Sequence, residues 1–245
     1  MFQEKSVSEA INYRRSVRVF DSEKFIDSKK VKQCIRKAIL APNSSNMQLW
    51  KFYHIIDSTI KNKLATYCFN KNAAKTAQQL VVVVVRKDFW KKRAKANLAY
   101  LNKVYGNNPP IKQSSREKFA KDYYKKIIPF AYADDFFGIF GWLKYITVSI
   151  LGLFRPIYRE VRAKDMRVVA HKSAGLAAQT FMLSMSEISY YTCPMEGSDT
   201  LRIKRLLNLP LRAEINMVIV CGIRKLEGIY AERFRIPFIE ICKEW

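Results

Sequence analysis

The 245-residue chain is poor in several residue types that define common protein classes. It has two histidines, His54 and His171, far apart, so neither a histidine metal cluster nor a histidine-based triad is indicated. Its five cysteines, Cys34, Cys68, Cys193, Cys221 and Cys242, are odd in number, scattered, and free of any C-x-x-C pair. That pattern argues against a disulfide framework or a zinc site and points to reduced thiols in a cytoplasmic protein. Glycine and proline number 8 each, too few for a low-complexity or fibrous chain. No internal repeat is present. The opening MFQEKSVSEA lacks the apolar run of a secretory leader. Acidic residues are scarce as well: 21 Asp and Glu stand against 44 Lys and Arg, a formal charge of +23.

What is abundant is apolar side chain, 49% of the residues, enough to fill a core. The charge is compatible with nucleic acid, anionic lipid or small anions as partners and says nothing about fold. It is partly local: Arg86 to Phe130 holds 13 Lys/Arg and 3 Asp/Glu. None of the standard nucleic-acid motifs accompanies it, so no nucleic acid is expected.

SVSEAINYRR reads as a short helix capped by Ser6 or Ser8. DSKKVKQCIRKAILAP reads as a second, capped by Asp27 or Ser28, with Val31, Ile35, Ala38 and Ile39 on its apolar face. WKFYHII is a strand by its aromatic and β-branched content. STIKNKLATYCF returns to helix. LVVVVV, Leu80 to Val85, is a strand buried on both faces, and INMVIVCG is a second buried strand. Between them KDFWKKRAKANLAYLNKVYG and SSREKFAKDYYKKIIPF are helical. Residues 136–154 then run 19 positions with one charge, Lys144. AKDMRVVAHKSAGLAAQTFMLSMSE is a long helix whose small residues allow another backbone to approach closely. The whole reads as one α+β domain, residues 1–245, with a helical, basic then apolar, lid-like insertion at about 88–160.

Four separated segments carry chemistry. Arg14, Arg15 and Arg18 with Ser16 offer bidentate cations and a hydroxyl, the donors expected around a phosphate. APNSSNMQLWKF, with Pro42, Asn43, Ser44, Asn46 and Gln48, is rich in turn formers. CPMEGSD, with Pro194, Met195, Glu196 and Gly197, has the composition of a turn. Arg233 and Arg235 alternate in the C-terminal tail as on an extended segment, with both side chains on one side. For any one segment alone, a solvated face or a loop is the simpler reading.

In this order and spacing the four segments resemble the FMN-dependent nitroreductase family. The resemblance covers roughly the first 85 and the last 80 residues, and the insertion between them matches nothing. It implies a nitroreductase-like, mostly antiparallel central sheet flanked by helices, and a homodimer with FMN at the subunit interface. By the resemblance, Arg14, Arg15, Ser16, Arg18, Arg233 and Arg235 hold the FMN phosphate and ribityl chain. The Pro42–Gln48 loop comes from the neighbouring subunit, and Leu49 stands where the family usually has Pro. An Asn before the buried strand pairs with the polar edge of the flavin ring. Asn72, with Lys75 three residues later, fits that spacing, and Asn70 is the alternative. The Glu196 backbone N–H faces the flavin N5, and Gly197 permits close approach. Ser198 replaces the usual aromatic residue.

The implied activity is transfer of hydride from NADH or NADPH through FMN to a nitroaromatic, a quinone or another lipophilic acceptor. No side chain stands out as nucleophile, general base or metal ligand, as expected where the cofactor carries the chemistry. A flavin storage or sensor protein without turnover is the alternative, and a nucleic-acid-binding or membrane-surface protein ranks last. Residues 136–154 are read as a buried or lid helix over the flavin pocket. Contact with a membrane surface is the second reading of that segment.

Overall fold

The computed structural model of the chain describes residues 4–106, 109, 113–133 and 138–245. Among them, four strands form one antiparallel sheet: β1 (Trp50–Ile55), β2 (Gln79–Val85), β3 (Tyr191–Met195) and β4 (Glu214–Gly222), in the order β1-β2-β4-β3. All seven residues of β2 are buried. The pleat sends Val81, Val83 and Val85 into one apolar cluster and Leu80, Val82 and Val84 into another, on the opposite face. That two-sided cover explains the unbroken β-branched run.

Helix α1 (Val7–Tyr13) starts at Ser6, which forms a reciprocal capping box with Glu9. Helix α2 (Ser28–Ala38) is capped by Asp27, whose carboxylate accepts the Lys29 N–H at 2.7 Å. Its buried residues are Val31, Cys34 and Ala38, while Ile39 lies past the helix end and is exposed. Helices α3 (Ser58–Tyr67) and α4 (Asn72–Thr76) cover the Leu80 face through Leu64, Ala65, Ala73 and Ala74.

Between β2 and the next long helix come α5 (Trp90–Tyr105), α6 (Ser115–Asp122), a π-helical turn at Tyr123–Ile127, α7 (Ile128–Tyr132) and α8 (Ile139–Leu151). A buried ion pair, Lys121 to Glu117 at 2.7 Å, and a bond from Lys121 to the Gly106 carbonyl at 2.9 Å tie α6 to the end of α5. The apolar stretch is not buried within the chain. In α8 only Gly141 and Val148 are, because a single stripe of the helix meets its neighbours. Phe136 and Phe137 lie outside the described residues. No helix among the described residues is long and apolar enough to cross a membrane.

Helix α9 (Ala163–Glu187) is central and packs against α2, α1 and β2. Its buried Ala170, Ser173, Ala174, Ala177 and Ala178 are what allow that approach. Helix α10 (Thr200–Leu206) backs β4, and after β4 a turn at Leu226–Gly228 leads to a tail with a short α11 (Phe238–Ile241). The CPMEGSD segment differs from its reading as a turn, since Cys193, Pro194 and Met195 close strand β3. Proline has no N–H to give to a ladder, and β3 tolerates it as the last strand on its side of the sheet.

Candidate functional site

The Arg14–Phe20 segment lies along the outer edge of β3. Ser16 bridges to Thr192 in parallel register, and the Val17 N–H donates to the Thr192 carbonyl at 3.3 Å. The Arg18 N–H donates to the Gly228 carbonyl at 2.7 Å, and the Phe20 N–H to Thr76 Oγ1 of α4 at 3.0 Å. Val17 and Phe20 are fully buried. Interleaved apolar and basic residues thus have a physical meaning: the apolar ones anchor the segment, and the arginines stay at its surface.

The C-terminal tail closes over the same place. Arg233 Nη2 donates to the carbonyls of Asn12 at 2.8 Å and Arg14 at 2.7 Å, at the carboxyl end of α1. Arg15 Nη2 reaches back to the Ala231 carbonyl at 2.5 Å. Arg14 is half-buried, and its pKa is held below the ordinary arginine value, first by burial and then by Arg233 and Arg235, with Arg15 adding to it. The charges acting most strongly on Arg14 are therefore other guanidiniums. Such a cluster of like charges is suited to a multivalent anion, which would offset the repulsion.

Arg18 Nη1 lies 3.6 Å from Cys193 Sγ. Burial pushes the Cys193 thiol above its ordinary pKa, against the pull of Arg18, Arg14 and Lys71. It stays protonated at neutral pH and is no nucleophile.

Residues 196–199 follow β3 directly, with Glu196 and Gly197 exposed. They meet the α3–α4 corner: the Asp199 N–H donates to the Tyr67 carbonyl at 2.8 Å, and Lys71 Nζ lies 3.4 Å from the Gly197 carbonyl. Asn70 sits in that corner with left-handed backbone, φ 52°, Asn72 is the first residue of α4, and Lys75 is in its last turn. The structure therefore gathers Arg14, Arg15, Ser16, Arg18, Arg233 and Arg235 with the Pro194–Gly197 stretch and the Asn70–Lys75 corner. Lys71 was missed in the sequence. It sits between Asn70 and Asn72, and its reach to Gly197 is a tertiary contact with no local signal.

The Pro42–Gln48 loop is elsewhere. It leads into β1, and the strands at the two sheet edges, β1 and β3, are three strand spacings apart, about 14 Å. Ser45, Asn46 and Gln48 all adopt left-handed backbone, with φ of 54°, 48° and 47°. Each such residue stores on the order of 1 kcal/mol, so the loop needs outside support. Asn43 Oδ1 accepts the Gln48 N–H at 2.8 Å, and the Ser44 N–H donates to Ser173 Oγ at 3.3 Å. Asn97 of α5 donates to the Asn46 carbonyl at 3.0 Å and accepts from the Asn46 amide at 2.8 Å. Tyr123 bonds Ser45 Oγ at 2.6 Å, and Tyr124 donates to the Ser45 carbonyl at 2.9 Å. Replacing the buried Asn97 by Leu should strand the polar groups of Asn46. A loss of about 2 kcal/mol is expected, a fall in melting temperature of roughly 6 °C. An unchanged melting temperature would mean that α5 does not support this loop.

A separate cavity of about 930 Å³ opens at the other end of β3, among Tyr13, Asp21, Phe25, Tyr191 and Arg224, and includes none of the residues above.

The α+β fold thus carries a cationic edge built from both ends of the chain, beside a central antiparallel sheet. The family profile described as "Nitroreductase family" matches residues 11–223, and the chain belongs to that family. Its members are FMN-dependent oxidoreductases with NAD(P)H as donor. The chain is 24% identical over 229 residues to Protein DrgA of a Synechocystis species, covering 94% of this chain and 89% of that one. It is 26% identical over 233 residues to MhqN of Bacillus subtilis, named as a candidate NAD(P)H nitroreductase, with 95% and 96% covered. Among solved structures, an Exiguobacterium sibiricum protein in complex with FMN superposes with a TM-score of 0.70 at 19% identity, over 99% of both chains.

Proposed function

We propose that this protein passes hydride from NADH or NADPH through FMN to a nitroaromatic, a quinone or another lipophilic acceptor, as a cytoplasmic homodimer. The observation that carries the reading is the meeting of Arg14 and Arg15 with Arg233 and Arg235, more than two hundred positions apart in the chain, on one sheet edge. These guanidiniums, with Ser16 and Arg18, form a cradle suited to the phosphate end of FMN. Bound FMN supplies the hydride chemistry, and the chain supplies binding and orientation. Glu196 and Gly197 present backbone to the reacting face. Asn70 or Asn72, with Lys75, takes the polar edge of the ring, and the Lys71 ammonium adds positive charge beside Gly197.

The Pro42–Gln48 loop stands on the opposite edge of its own sheet, so a second copy is the source that would complete each site with Pro42, Asn43, Ser44, Asn46 and Gln48. The helical region 88–160 shores up this loop through Asn97, Tyr123 and Tyr124. Free cysteines, four of them buried, agree with a reducing compartment. The test is spectroscopic. Purified protein reconstituted with FMN should show a bound-flavin spectrum that NADPH or NADH bleaches and that a quinone or nitroaromatic restores. Protein that takes up no FMN would sink this reading, and flavin that neither nicotinamide reduces would point to storage or sensing.

A further inference from the structure

Helix α8 presents apolar side chains around most of its circumference. Phe140, Trp142, Leu143 and Ile146 are exposed on it, as are Leu153 and Phe154 in the turn that follows, Trp142 to 61% and Phe154 to 83%. A helix this apolar normally buries itself, and here only the stripe at Gly141 and Val148 does. A contiguous exposed patch of this kind marks an interaction surface.

The rim of the patch is cationic. Residues 138–167 hold six Lys/Arg against two Asp/Glu; Arg162 pairs with Asp165 and Arg167 with Glu214, and Arg155, Arg159 and Lys164 are exposed cations. The Arg162 guanidinium lies over the Tyr145 ring at 4.8 Å, and Arg159 Nη2 donates to the Gly152 carbonyl at 2.8 Å, at the carboxyl end of α8. Arg155 and Lys164 are exposed beside them. We infer that this face docks on an anionic lipid surface. The helix has 13 residues, a length of about 20 Å, against about 30 Å of bilayer hydrocarbon, so it lies in the headgroup plane. Trp142 and Phe154 enter the acyl boundary, while the surrounding arginines and lysines meet lipid phosphates. Charge decides between occupants. A second copy docked symmetrically through this face would bring two cationic rims together, whereas anionic lipid complements the rim.

Co-sedimentation of the full-length, FMN-loaded protein with vesicles tests this. Binding should be about tenfold tighter to phosphatidylcholine vesicles containing phosphatidylglycerol than to phosphatidylcholine alone, and should weaken with salt. The triple substitution Trp142→Ser, Leu153→Ser, Phe154→Ser should lower binding at least about tenfold, with flavin content and gel-filtration volume unchanged. The milder Trp142→Phe should remove the part of the tryptophan fluorescence that brominated lipid quenches. Wild-type protein that stays in the supernatant with phosphatidylglycerol vesicles would overturn the proposal. So would a triple variant that pellets like wild type, or quenching that survives in Trp142→Phe. If the triple substitution instead shifts the gel-filtration volume and no vesicle binding is seen, the face joins two copies and the proposal is wrong. None of these readouts depends on flavin turnover, so the test stands apart from the activity assigned above.

Discussion

Arg14→Ala is expected to weaken FMN binding by roughly 100-fold, about 3 kcal/mol, while leaving the flavin-free protein as stable as before or slightly more so. The two halves have different causes. Arg14 is half-buried beside Arg233, Arg235 and Arg15, so its charge is a burden on the empty site. Removing it relieves repulsion among the remaining guanidiniums. Once a phosphate is present the same charge becomes a charge-assisted donor in a partly desolvated place, where such bonds are strongest. Fluorescence titration with FMN reads the first half, and thermal melting without flavin reads the second. A variant that loses stability yet keeps full flavin affinity would show that the cluster is structural. Arg233→Ala serves as the contrast. Its guanidinium also ties the tail to the Asn12 and Arg14 carbonyls, so this change should cost stability as well as affinity.

Gly228→Ala is expected to destabilise the fold by about 3 kcal/mol, a fall of roughly 10 °C in melting temperature. Gly228 sits where the tail leaves the sheet. Its carbonyl accepts the Arg18 N–H, and an added Cβ would press into the Val19 carbonyl oxygen and crowd Val17 Cγ1 at 3.3 Å. The obstruction is backbone, which cannot rotate away as a side-chain tip can. Because the displaced chain carries Arg233 and Arg235, flavin affinity should fall in the same variant. Gly175 is the matched control. Nothing lies within 4 Å of the Cβ it would gain, and alanine there should add roughly 1 kcal/mol of helix propensity. If both alanine variants melt at the wild-type temperature, the contact between the tail and the Arg14–Phe20 segment is looser than described.

Much of the fold was legible because its signals are local. Six β-branched or leucine positions in a row could only be a buried strand, and Ser6 and Asp27 mark helix starts by the chemistry of free amides. β3 was not legible. Pro194 and the turn formers after it speak against a strand, and only its edge position makes the proline harmless. The site divided the same way. The residue types around Arg14 and Glu196 were readable, but their convergence rested on a family resemblance. Lys71 and Asn97 act on residues distant in sequence, and nothing in their own neighbourhoods signals it. Of the apolar run at 136–154, read as a buried or lid helix, α8 buries only Gly141 and Val148 within the chain: hydropathy reports what a segment would favour, not whether the chain offers it a partner.

The π-helical turn at Tyr123–Ile127 limits how this protein can change in length. A π turn carries one more residue per hydrogen-bonded ring than an α-helix does. That surplus residue sets the angle at which Tyr123 and Tyr124 approach Ser45, since losing one position would rotate everything on one side by about 100°. A single-codon deletion inside the turn would release a loop whose left-handed residues depend on these tyrosines. Relatives that differ in length in this region should therefore keep 123–127 intact.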